Sequence, residues 1–421
     1  MDLIFAEATP PGRGGVSVIR LSGDGARAAA ESLVGPMPQA RRSYFRDLTE
    51  GGEPVDQVLA LWFAAGASFT GEEVAELHLH GAPVVARRVA VALQNLGARV
   101  ADAGEFTRRA FLNGRMDLAE IEGLGDLLAA ETESQRKLAL RAAGGEMARR
   151  AEAWRDLLIE AGALVEVTVD FADEDVPDEV PPRVFDIVTD LVRQIQRELD
   201  GFGAAERVRQ GFEVAIIGPP NAGKSSLMNS LARRDVAIVS EVAGTTRDVI
   251  EVRMDLQGLA VTLLDTAGIR EAGDTVEAVG IARARGRAEA ADLRIHLSPT
   301  AEPVAGMWQD EDLLVQSKAD LAASCPGLAI SAVSGEGLDQ LMQAVFEILS
   351  NRSSNAGLVS HERQNAELRD AKSSLDEVYD APVELIAESL RRANAALDRL
   401  LGRIDAEDYL DRIFSSFCIG K

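Results

Sequence analysis

Cysteine, basic residues and long apolar runs are all scarce in this chain of 421 residues. The two cysteines, Cys325 and Cys418, cannot form a disulfide framework of the secreted kind, which indicates a reducing compartment. No apolar run reaches transmembrane length, and residues 1–20 lack the apolar core of a signal peptide. These absences predict a cytoplasmic protein that does not associate with membranes.

Positive charge is also in short supply. The chain carries 44 Lys and Arg against 68 Asp and Glu, which gives a formal net charge of −24. A protein that wraps nucleic acid by its own field needs a surface of Lys and Arg. A nucleic-acid substrate would therefore require a local basic patch or a basic partner. Most of the acidic charge indicates a well-solvated surface.

One stretch carries a strong chemical signal. Gly218-Pro-Pro-Asn-Ala-Gly-Lys-Ser225 fits the phosphate-binding loop pattern, with a buried strand predicted at 214–217 and a helix from 225 to 231. That context directs backbone N–H groups and a helix N-terminus at a polyphosphate. Lys224 is then expected at the β and γ phosphates, and the Ser225 hydroxyl on Mg²⁺. A plain glycine turn would not explain the Lys-Ser pair in register with the helix.

Two further stretches follow in the order that a GTPase needs. Gly244-Thr-Thr-Arg-Asp248 supplies Thr246, whose hydroxyl can coordinate Mg²⁺ and sense the γ phosphate. Asp265-Thr-Ala-Gly268 follows a strand predicted at 261–264. There Asp265 would bind Mg²⁺ through water, and the Gly268 amide would meet the γ phosphate.

Two more stretches predict guanine recognition. Ser317-Lys-Ala-Asp320 follows a strand predicted at 313–315, where Asp320 can accept both guanine N–H groups while the Lys318 stem covers the base. Ser331-Ala-Val333 is expected to end the last strand, so that the Ala332 amide can donate to the base oxygen. Each short stretch is weak evidence alone, but five in order predict a guanine nucleotide site.

Two positions depart from the usual GTPase pattern. Ser317 stands where asparagine is usual, and its hydroxyl lacks the paired donor and acceptor of an amide. Ile269 stands where many small GTPases have a water-positioning glutamine. Either water is positioned from elsewhere or the domain is a slow switch. A monovalent cation at Asn221 would offset developing charge as an arginine finger does, and Arg247 is the competing finger candidate.

The remaining pattern predicts a multidomain α/β and α+β protein. Residues 1–115 read as a small α+β domain, with strands at 16–21, 58–63 and 74–80 and a helix at 83–96. Residues 116–207 are helical, including 184–199, and the acidic stretch 170–182 reads as a solvated loop rather than a metal site. Residues 208–350 alternate strands and helices as a doubly wound α/β domain. A polar linker at 351–355 then precedes a second helical part, 351–421, so the α/β domain is predicted to be inserted into one helical domain.

Motifs at both ends of the chain resemble the MnmE (TrmE) family of tRNA modification GTPases, and the likeness spans nearly the whole sequence. Besides the five nucleotide motifs, it rests on Ala8-Thr-Pro-Pro-Gly-Arg-Gly-Gly-Val16, Phe69-Thr-Gly-Glu72, Gly104-Glu-Phe-Thr107, Ala110-Phe-Leu-Asn113 and Phe414-Ser-Ser-Phe-Cys-Ile-Gly-Lys421. The resemblance implies a homodimer with an N-terminal tetrahydrofolate-binding and dimerisation domain, a helical domain and an inserted Ras-like G domain.

The resemblance also implies a reaction and a partner. A flavoprotein of the MnmG (GidA) type, using FAD and NADH, would act with this chain to install an aminomethyl or carboxymethylaminomethyl group at C5 of the wobble uridine of certain tRNAs. The one-carbon unit would come from 5,10-methylenetetrahydrofolate or 5-formyltetrahydrofolate, with glycine or ammonium as the second substrate. The partner would hold most of the tRNA, which fits the acidic charge of this chain.

Site residues carried over from the family extend the nucleotide site. K⁺ would be bound by Asn221 with oxygens of Ser240, Val242 and Thr245, and Glu277 would orient the attacking water in place of Ile269. The GTP-binding set then comprises Asn221, Ala222, Gly223, Lys224, Ser225, Ser226, Ser240, Glu241, Val242, Ala243, Gly244, Thr245, Thr246, Asp265, Thr266, Ala267, Gly268, Lys318, Asp320, Ser331 and Ala332.

The folate contacts implied by the resemblance are Arg20, Glu76, Arg115 and Lys421. Arg115 stands where a lysine can occur, so its charge is kept while its geometry differs. Without the resemblance, Arg20 and Glu76 would be interpreted as ordinary strand residues.

The C-terminal segment is predicted to pack rather than fray. Leu410, Ile413, Phe414 and Phe417 have the i, i+3, i+4, i+7 spacing of an apolar helix face. That packing would hold Cys418 at a fixed place. The cysteine is either a small buried apolar residue or, as the resemblance favours, a catalytic residue facing the folate site.

A rival interpretation is a regulatory GTPase switch, for example in ribosome assembly, whose flanking domains only bind partners. A pure switch needs neither the N-terminal motif nor the Cys418–Lys421 tail. We therefore favour a K⁺-stimulated GTPase that acts in tRNA modification.

Overall fold

A computed structural model describes residues 2–170, 180–234, 237, 251–265, 285–321, 327–404, 410, 413–414 and 417. The chain forms two compact units. One contains Met1–Gly125, Ala148–Asp156 and Asn394–Lys421, and the other contains Asp126–Met147 and Leu157–Ala393.

The first unit is built on a six-stranded sheet. Its strands are β1 (Ile4–Glu7), β2 (Val16–Ser22), β3 (Tyr44–Glu50), β4 (Glu53–Phe63), β5 (Val74–His80) and β6 (Arg99–Val100). Their spatial order is β3-β4-β5-β2-β1-β6, and all neighbours are antiparallel except β1 and β6. The strands predicted at 16–21, 58–63 and 74–80 are confirmed, whereas β1, β3 and β6 were not predicted.

Helices α1 (Ala26–Val34) and α2 (Pro83–Asn95) pack on one face of this sheet. The alternation of β5 explains why: Leu77 and Leu79 are buried, while Glu76 and His78 point to the opposite face. Pro83 occupies the first turn of α2, where its missing N–H costs no hydrogen bond. Helix α3 (Glu105–Leu112) buries Phe106 against Ile4, Ala6 and Ala101.

The predicted apolar stripe at the C-terminus is confirmed for the described residues. Leu410, Phe414 and Phe417 are buried and cluster with Leu118 and Ile121. Leu118 and Ile121 belong to helix α4, which spans Leu118–Ala129. Burial of these side chains stabilises the end of the chain by roughly 1.5–3 kcal/mol for each large apolar residue.

The second unit contains the other six-stranded sheet. Its strands are β7 (Phe212–Ile217), β8 (Glu251–Leu256), β9 (Leu259–Asp265), β10 (Leu293–Ser298), β11 (Leu313–Gln316) and β12 (Leu328–Ala329). The order is β12-β11-β10-β7-β9-β8, parallel except for the β8–β9 hairpin. Helices α8 (Lys224–Ala232) and α9 (Leu338–Ser353) contribute Leu227 and Leu341 to its core. The predicted doubly wound α/β fold is confirmed.

The other helices are α5 (Glu133–Ala143), α6 (Glu146–Asp170), α7 (Pro182–Gln210), α10 (Glu362–Asp376) and α11 (Val383–Leu400). The helix predicted at 184–199 begins two residues earlier and continues to Gln210, next to Gly211 with φ 88°. Of the acidic stretch predicted to be a loop, 171–179 lie outside the described residues.

Three details of the second unit differ from expectation or refine it. The linker predicted at 351–355 is wrong for its first three residues, because α9 continues through Ser353; polar residues suit an exposed helix end as well as a linker. Strand β12 ends at Ala329, two residues before Ser331. Residues 299–312, between β10 and β11, contain no helix.

Candidate nucleotide-binding site

The phosphate-loop stretch lies where its motif requires. It follows β7 at Ile217 and leads into α8, whose N-cap is Gly223 with φ 98°. Asn221 also has a left-handed backbone, with φ 62°, a conformation that asparagine adopts more readily than most residues. A Cβ atom at Gly218 would lie 2.1 Å from the Leu297 carbonyl oxygen, so no side chain fits there. Strand, loop and helix N-terminus together form an anion-binding concavity.

Lys224 and Ser225 bring the predicted functional groups together. The Lys224 Nζ donates to the carbonyl oxygens of Gly218, at 2.8 Å, and of Pro219, at 3.1 Å. The Ser225 hydroxyl donates to Asp265 Oδ2 at 3.1 Å, and Asp265 is buried at the end of β9. The phosphate loop and the Asp265 stretch therefore form one site. A hydroxyl beside a carboxylate is an oxygen donor set of the kind that Mg²⁺ prefers.

The residues predicted to recognise guanine lie after the carboxyl ends of β11 and β12. The Ser317 amide donates to Ser298 O at 3.0 Å, and the Ala319 amide donates to Ile330 O at 3.0 Å. The Ser331 hydroxyl accepts the amides of Val333 and Ser334, at 3.3 and 3.2 Å, which shapes the turn containing Ala332. Lys318 has φ 59° and an exposed side chain.

Two polar groups among these residues are complementary to the hydrogen-bonding edge of guanine. Among the described residues, neither the exposed Asp320 carboxylate nor the Ala332 N–H has a hydrogen-bond partner. A carboxylate accepts the two N–H groups of guanine, and an amide N–H donates to its oxygen. By contrast, the Ser317 hydroxyl is buried and makes no hydrogen bond within the described part of the chain.

Several predicted site residues cannot be assessed because they lie outside the described residues. These are Ser240, Glu241, Val242, Ala243, Gly244, Thr245, Thr246, Thr266, Ala267, Gly268, Glu277, Cys418 and Lys421, together with Ile269 and the finger candidate Arg247. Their roles stay predictions.

Two of the predicted folate contacts are neighbours in the first unit. Arg20 and Glu76 pair across β2 and β5, and the Arg20 Nε lies 2.9 Å from Glu76 Oε1. The other carboxylate oxygen of Glu76 is 3.2 Å from His78 Nε2, and the Arg20 guanidinium carbon lies 6.0 Å from the centre of the Phe106 ring. Arg115 is exposed and follows α3, and no described contact joins it to the Arg20–Glu76 pair.

A buried arginine that sequence analysis did not identify ties the N-terminal motifs together. Arg109, 3% exposed, contacts Glu72 Oε2 at 3.0 Å, Glu105 Oε1 at 3.0 Å and Asp2 Oδ1 at 2.7 Å. Asn113 Nδ2 donates to Thr70 O at 2.7 Å, so the Phe69–Glu72 and Ala110–Asn113 motifs meet. Burial opposes the charge of Arg109, but its hydrogen bonds to Glu72 and Glu105 prevail and raise the pKa of the guanidinium.

A second buried network braces residues 299–312 beside the phosphate loop. Arg294 Nε contacts both oxygens of Asp312 at 2.9 Å, and His296 Nε2 lies 3.1 Å from Asp312 Oδ2. The Val304 amide donates to His296 Nδ1 at 3.0 Å, so Nδ1 is the acceptor and Nε2 is the nitrogen that donates to Asp312. Burial alone would raise the pKa of Asp312, but the hydrogen bonds from Arg294, Gln309 and His296 and the charge of Arg294 together outweigh burial and lower that pKa. Sequence analysis missed this network because its members are separated along the chain.

A phosphate loop between the first strand and first helix of a doubly wound sheet, with Asp265 against Ser225, defines a Ras-like phosphate-loop GTPase fold. Family models account for nearly all of the sequence: one described as the GTP-binding protein TrmE N-terminus matches residues 3–115, and the MnmE helical domain matches 118–418. The chain belongs to the MnmE family of tRNA modification GTPases.

Individual relatives are similar over their full length. The tRNA modification GTPase MnmE of Paracoccus denitrificans (strain Pd 1222) is 56% identical over 421 residues, covering 100% of both chains. The protein of that name in Cereibacter sphaeroides (strain ATCC 17025 / ATH 2.4.3) is 52% identical over 429 residues, again covering 100% of both. A solved G domain of the T. maritima FeoB iron transporter is 25% identical and covers 32% of this chain and 98% of its own, but its TM-score of 0.25 supports no conclusion. No helix in the described part of the chain is long and apolar enough to cross a membrane.

Proposed function

We propose that the chain binds Mg²⁺ and GTP at the Gly218–Ser225 loop and hydrolyses GTP as part of wobble-uridine modification in tRNA. The observation that carries the proposal is the hydrogen bond from the Ser225 hydroxyl to Asp265. It joins Ser225, which is expected to coordinate Mg²⁺ directly, to Asp265, which is expected to bind Mg²⁺ through a water molecule. When bound, the metal would neutralise charge that develops on the β and γ phosphates.

Guanine selectivity is proposed to come from Asp320 and the Ala332 amide. Both groups are open in the part of the chain that is described, and they offer the acceptor and donor that guanine requires. Adenine presents the reverse pattern at the same positions, so it would leave a carboxylate and an amide unpaired. That mismatch costs about 1–3 kcal/mol for each buried unpaired group.

Hydrolysis is proposed to be stimulated by K⁺ at Asn221, with Ser240, Val242 and Thr245 completing the ion's oxygen shell. Asn221 is exposed within the Gly218–Ser225 loop and has a left-handed backbone, which supports this assignment. Glu277 is the proposed water-orienting residue. The ion would supply positive charge during the reaction, as an arginine finger does.

The modification chemistry is proposed on the strength of family membership. We infer a folate site that includes Arg20, Glu76, Arg115 and Lys421, a homodimer, and a flavoprotein partner of the MnmG type using FAD and NADH. The Arg20–Glu76 ion pair supports this assignment, because it offers a half-buried guanidinium and carboxylate side by side on one strand face. We also propose a cytoplasmic location. The chain is proposed to divide into four parts, with boundaries after residues 115, 207 and 350.

The deciding experiment is nucleoside analysis of tRNA from cells that lack this gene. We expect loss of the C5 substituent of the wobble uridine, with rescue by the wild-type gene. Rescue should fail with Ser225→Ala, which removes the hydroxyl beside Asp265. Unchanged wobble uridines in the deletion strain would instead favour a regulatory GTPase switch.

A further inference from the structure

Two segments of the second unit, the β8–β9 turn and the end of α7, are hydrogen-bonded to the first turn of α5. The Ser134 amide donates to the Gly258 carbonyl oxygen at 3.1 Å, which docks the β8–β9 turn on the helix N-terminus. Gln257 and Gly258 have φ values of 52° and 95°, the two left-handed residues of a tight hairpin turn. A Cβ atom at Gly258 would lie 3.6 Å from Ser134 Oγ, so a side chain added to the turn would be in van der Waals contact with the helix.

Gln135 connects the same helix turn to the strand that carries the phosphate loop. Its Oε1 accepts the Thr132 amide at 3.1 Å, closing the capping box of α5. Its Nε2 donates to Arg209 O at 3.0 Å, at the end of α7 and three residues before β7 begins. The Arg209 side chain in turn donates to Ser360 O at 2.9 Å, just before α10.

Strands β7 and β9 run from this junction to the nucleotide site. They are paired in parallel from Phe212 opposite Val261 to Ile216 opposite Asp265. At the far end β7 enters the phosphate loop, and β9 ends at Asp265, which accepts the Ser225 hydroxyl. The two ends are about 20 Å apart at the usual rise of a strand. A paired strand is stiff along its axis, so displacement of one end displaces the other.

The junction also has room to move. A cavity of about 130 Å³ lies behind the α5 turn, lined by Asp126, Ala129, Ala130, Gln135, Leu138, Ala139 and Arg209. This pocket opens partly to solvent, so the side chains that line it are packed less tightly than those of a close-packed interior.

We propose that the first turn of α5 couples the nucleotide state of the G domain to the conformation of the helical part of the chain. Ser134 bonds the β8–β9 turn, and Gln135 bonds the end of α7 just before β7. Exchange of GDP for GTP changes the strength of these two hydrogen bonds. This inference rests on the proposed function, since it requires that Asp265 and the phosphate loop bind nucleotide.

Hydrogen exchange of the full-length protein tests the coupling directly. With Mg²⁺ present, amides of α5 should exchange at rates that differ at least about fivefold between the GDP complex and a complex with a non-hydrolysable GTP analogue, the lower end of ordinary allosteric coupling. Exchange of α1, in the other unit, provides the internal reference. Titration of both nucleotides establishes occupancy beforehand.

Two variants each remove one link while keeping the helix. Ser134→Pro deletes the amide that bonds Gly258 O, in a first turn where proline is tolerated, and Ser134→Ala is the matched control because it keeps that amide. Gln135→Glu keeps the capping-box acceptor but loses the donor to Arg209 O. We expect Ser134→Pro and Gln135→Glu to abolish the nucleotide-dependent difference in the exchange rates of α5 amides. Nucleotide affinity should stay within about threefold of wild type, which is less than the fivefold lower end of ordinary allosteric coupling.

Equal exchange of α5 in both complexes, with both nucleotides bound, would overturn the inference and leave the proposed function intact. A wild-type difference retained in Ser134→Pro and in Gln135→Glu would also overturn it. Failure of the wild-type protein to bind either nucleotide would overturn the proposed function and the inference together.

Discussion

Ser225 and Asp265 are 40 residues apart in sequence, yet the serine hydroxyl donates to the aspartate at 3.1 Å. The contact forms because β7 and β9 are adjacent and parallel, so the loop after one meets the end of the other at the same edge of the sheet. In this arrangement one hydrogen bond preorganises the two oxygen groups that are proposed to hold Mg²⁺. Preorganised groups stabilise a transition state without a reorganisation cost during the reaction.

GTP hydrolysis should be faster in K⁺ than in Na⁺. The size of an ion decides whether the Asn221 oxygen and its neighbours can replace its hydration shell, and Asn221 is exposed within the Gly218–Ser225 loop. Turnover measured in the two salts at equal ionic strength checks this. Equal rates, together with an inactive Arg247→Ala variant, would point to the arginine finger instead.

Glu277→Ala should lower kcat by about 100-fold or more, the usual contribution of a positioned acid–base group, with little change in nucleotide affinity. This split is expected when an interaction is made mainly in the transition state. Glu277→Gln is the matched variant, since it keeps the size of the side chain and removes its charge. Wild-type turnover in Glu277→Ala would make Glu277 an ordinary surface residue.

Ser317→Asn should tighten guanine nucleotide binding by about 1 kcal/mol, because an amide restores a donor and an acceptor that the serine lacks. Ser317→Ala is the control: the hydroxyl is buried and has no partner among the described residues, so its removal should not weaken binding. Titration with GDP distinguishes the outcomes. No gain for asparagine would mean that the backbone has adapted to serine.

Stability of the first unit should depend on pH through Asp117, which caps α4. Burial, then repulsion from Glu120, raises the pKa of Asp117 to about 6, although the Glu120 amide bonds its Oδ1 at 2.8 Å. Because the folded protein holds this proton more tightly than the unfolded chain, stability falls as pH rises from about 4 to about 6.

Asp117→Asn keeps the acceptor for the Glu120 amide and removes the charge. We therefore expect the variant to be more stable than wild type at pH 7.5, by up to about 3 kcal/mol for a shift of two pKa units, and no more stable at pH 4. Thermal unfolding at the two pH values measures the difference. A constant offset at both values would contradict the assignment to titration of Asp117.

Cys418→Ser should abolish tRNA modification while GTP hydrolysis remains. Phe414 and Phe417 are buried against Leu118 and Ile121, so the residues just before Cys418 are held in place. Cys325→Ser, which changes the other cysteine, is the matched control and should modify tRNA normally. Full modification by Cys418→Ser in complemented cells would assign the cysteine to packing alone.

Local patterns were the predictable part of this protein. The phosphate loop, its flanking strand and helix, and the apolar stripe at Phe414 and Phe417 were predictable because each depends on neighbouring residues. Contacts such as Arg109 with Glu72, or Gln135 with Arg209, join segments 37 and 74 residues apart. A single sequence carries no signal for such pairings, because any buried arginine or capping glutamine has many candidate partners.

Composition gave a wrong prediction where polar residues suit either a linker or the exposed end of a helix. Residues 351–353 are polar and were predicted to form a linker, yet they complete α9, and Arg352 contacts Glu311 at 2.6 Å. The sequence also did not predict the buried network that braces residues 299–312. Arg294, His296 and Asp312 look like ordinary strand and loop residues until the fold brings them together.

Gly218 has a consequence for how this gene can evolve. Its missing side chain is required by the Leu297 carbonyl, which would lie 2.1 Å from a Cβ atom, and not only by a nucleotide. A larger residue there must displace the Leu297 carbonyl of β10 or the start of the loop after β7, at the centre of the sheet. Purifying selection on codon 218 should therefore come from the fold as well as from the nucleotide.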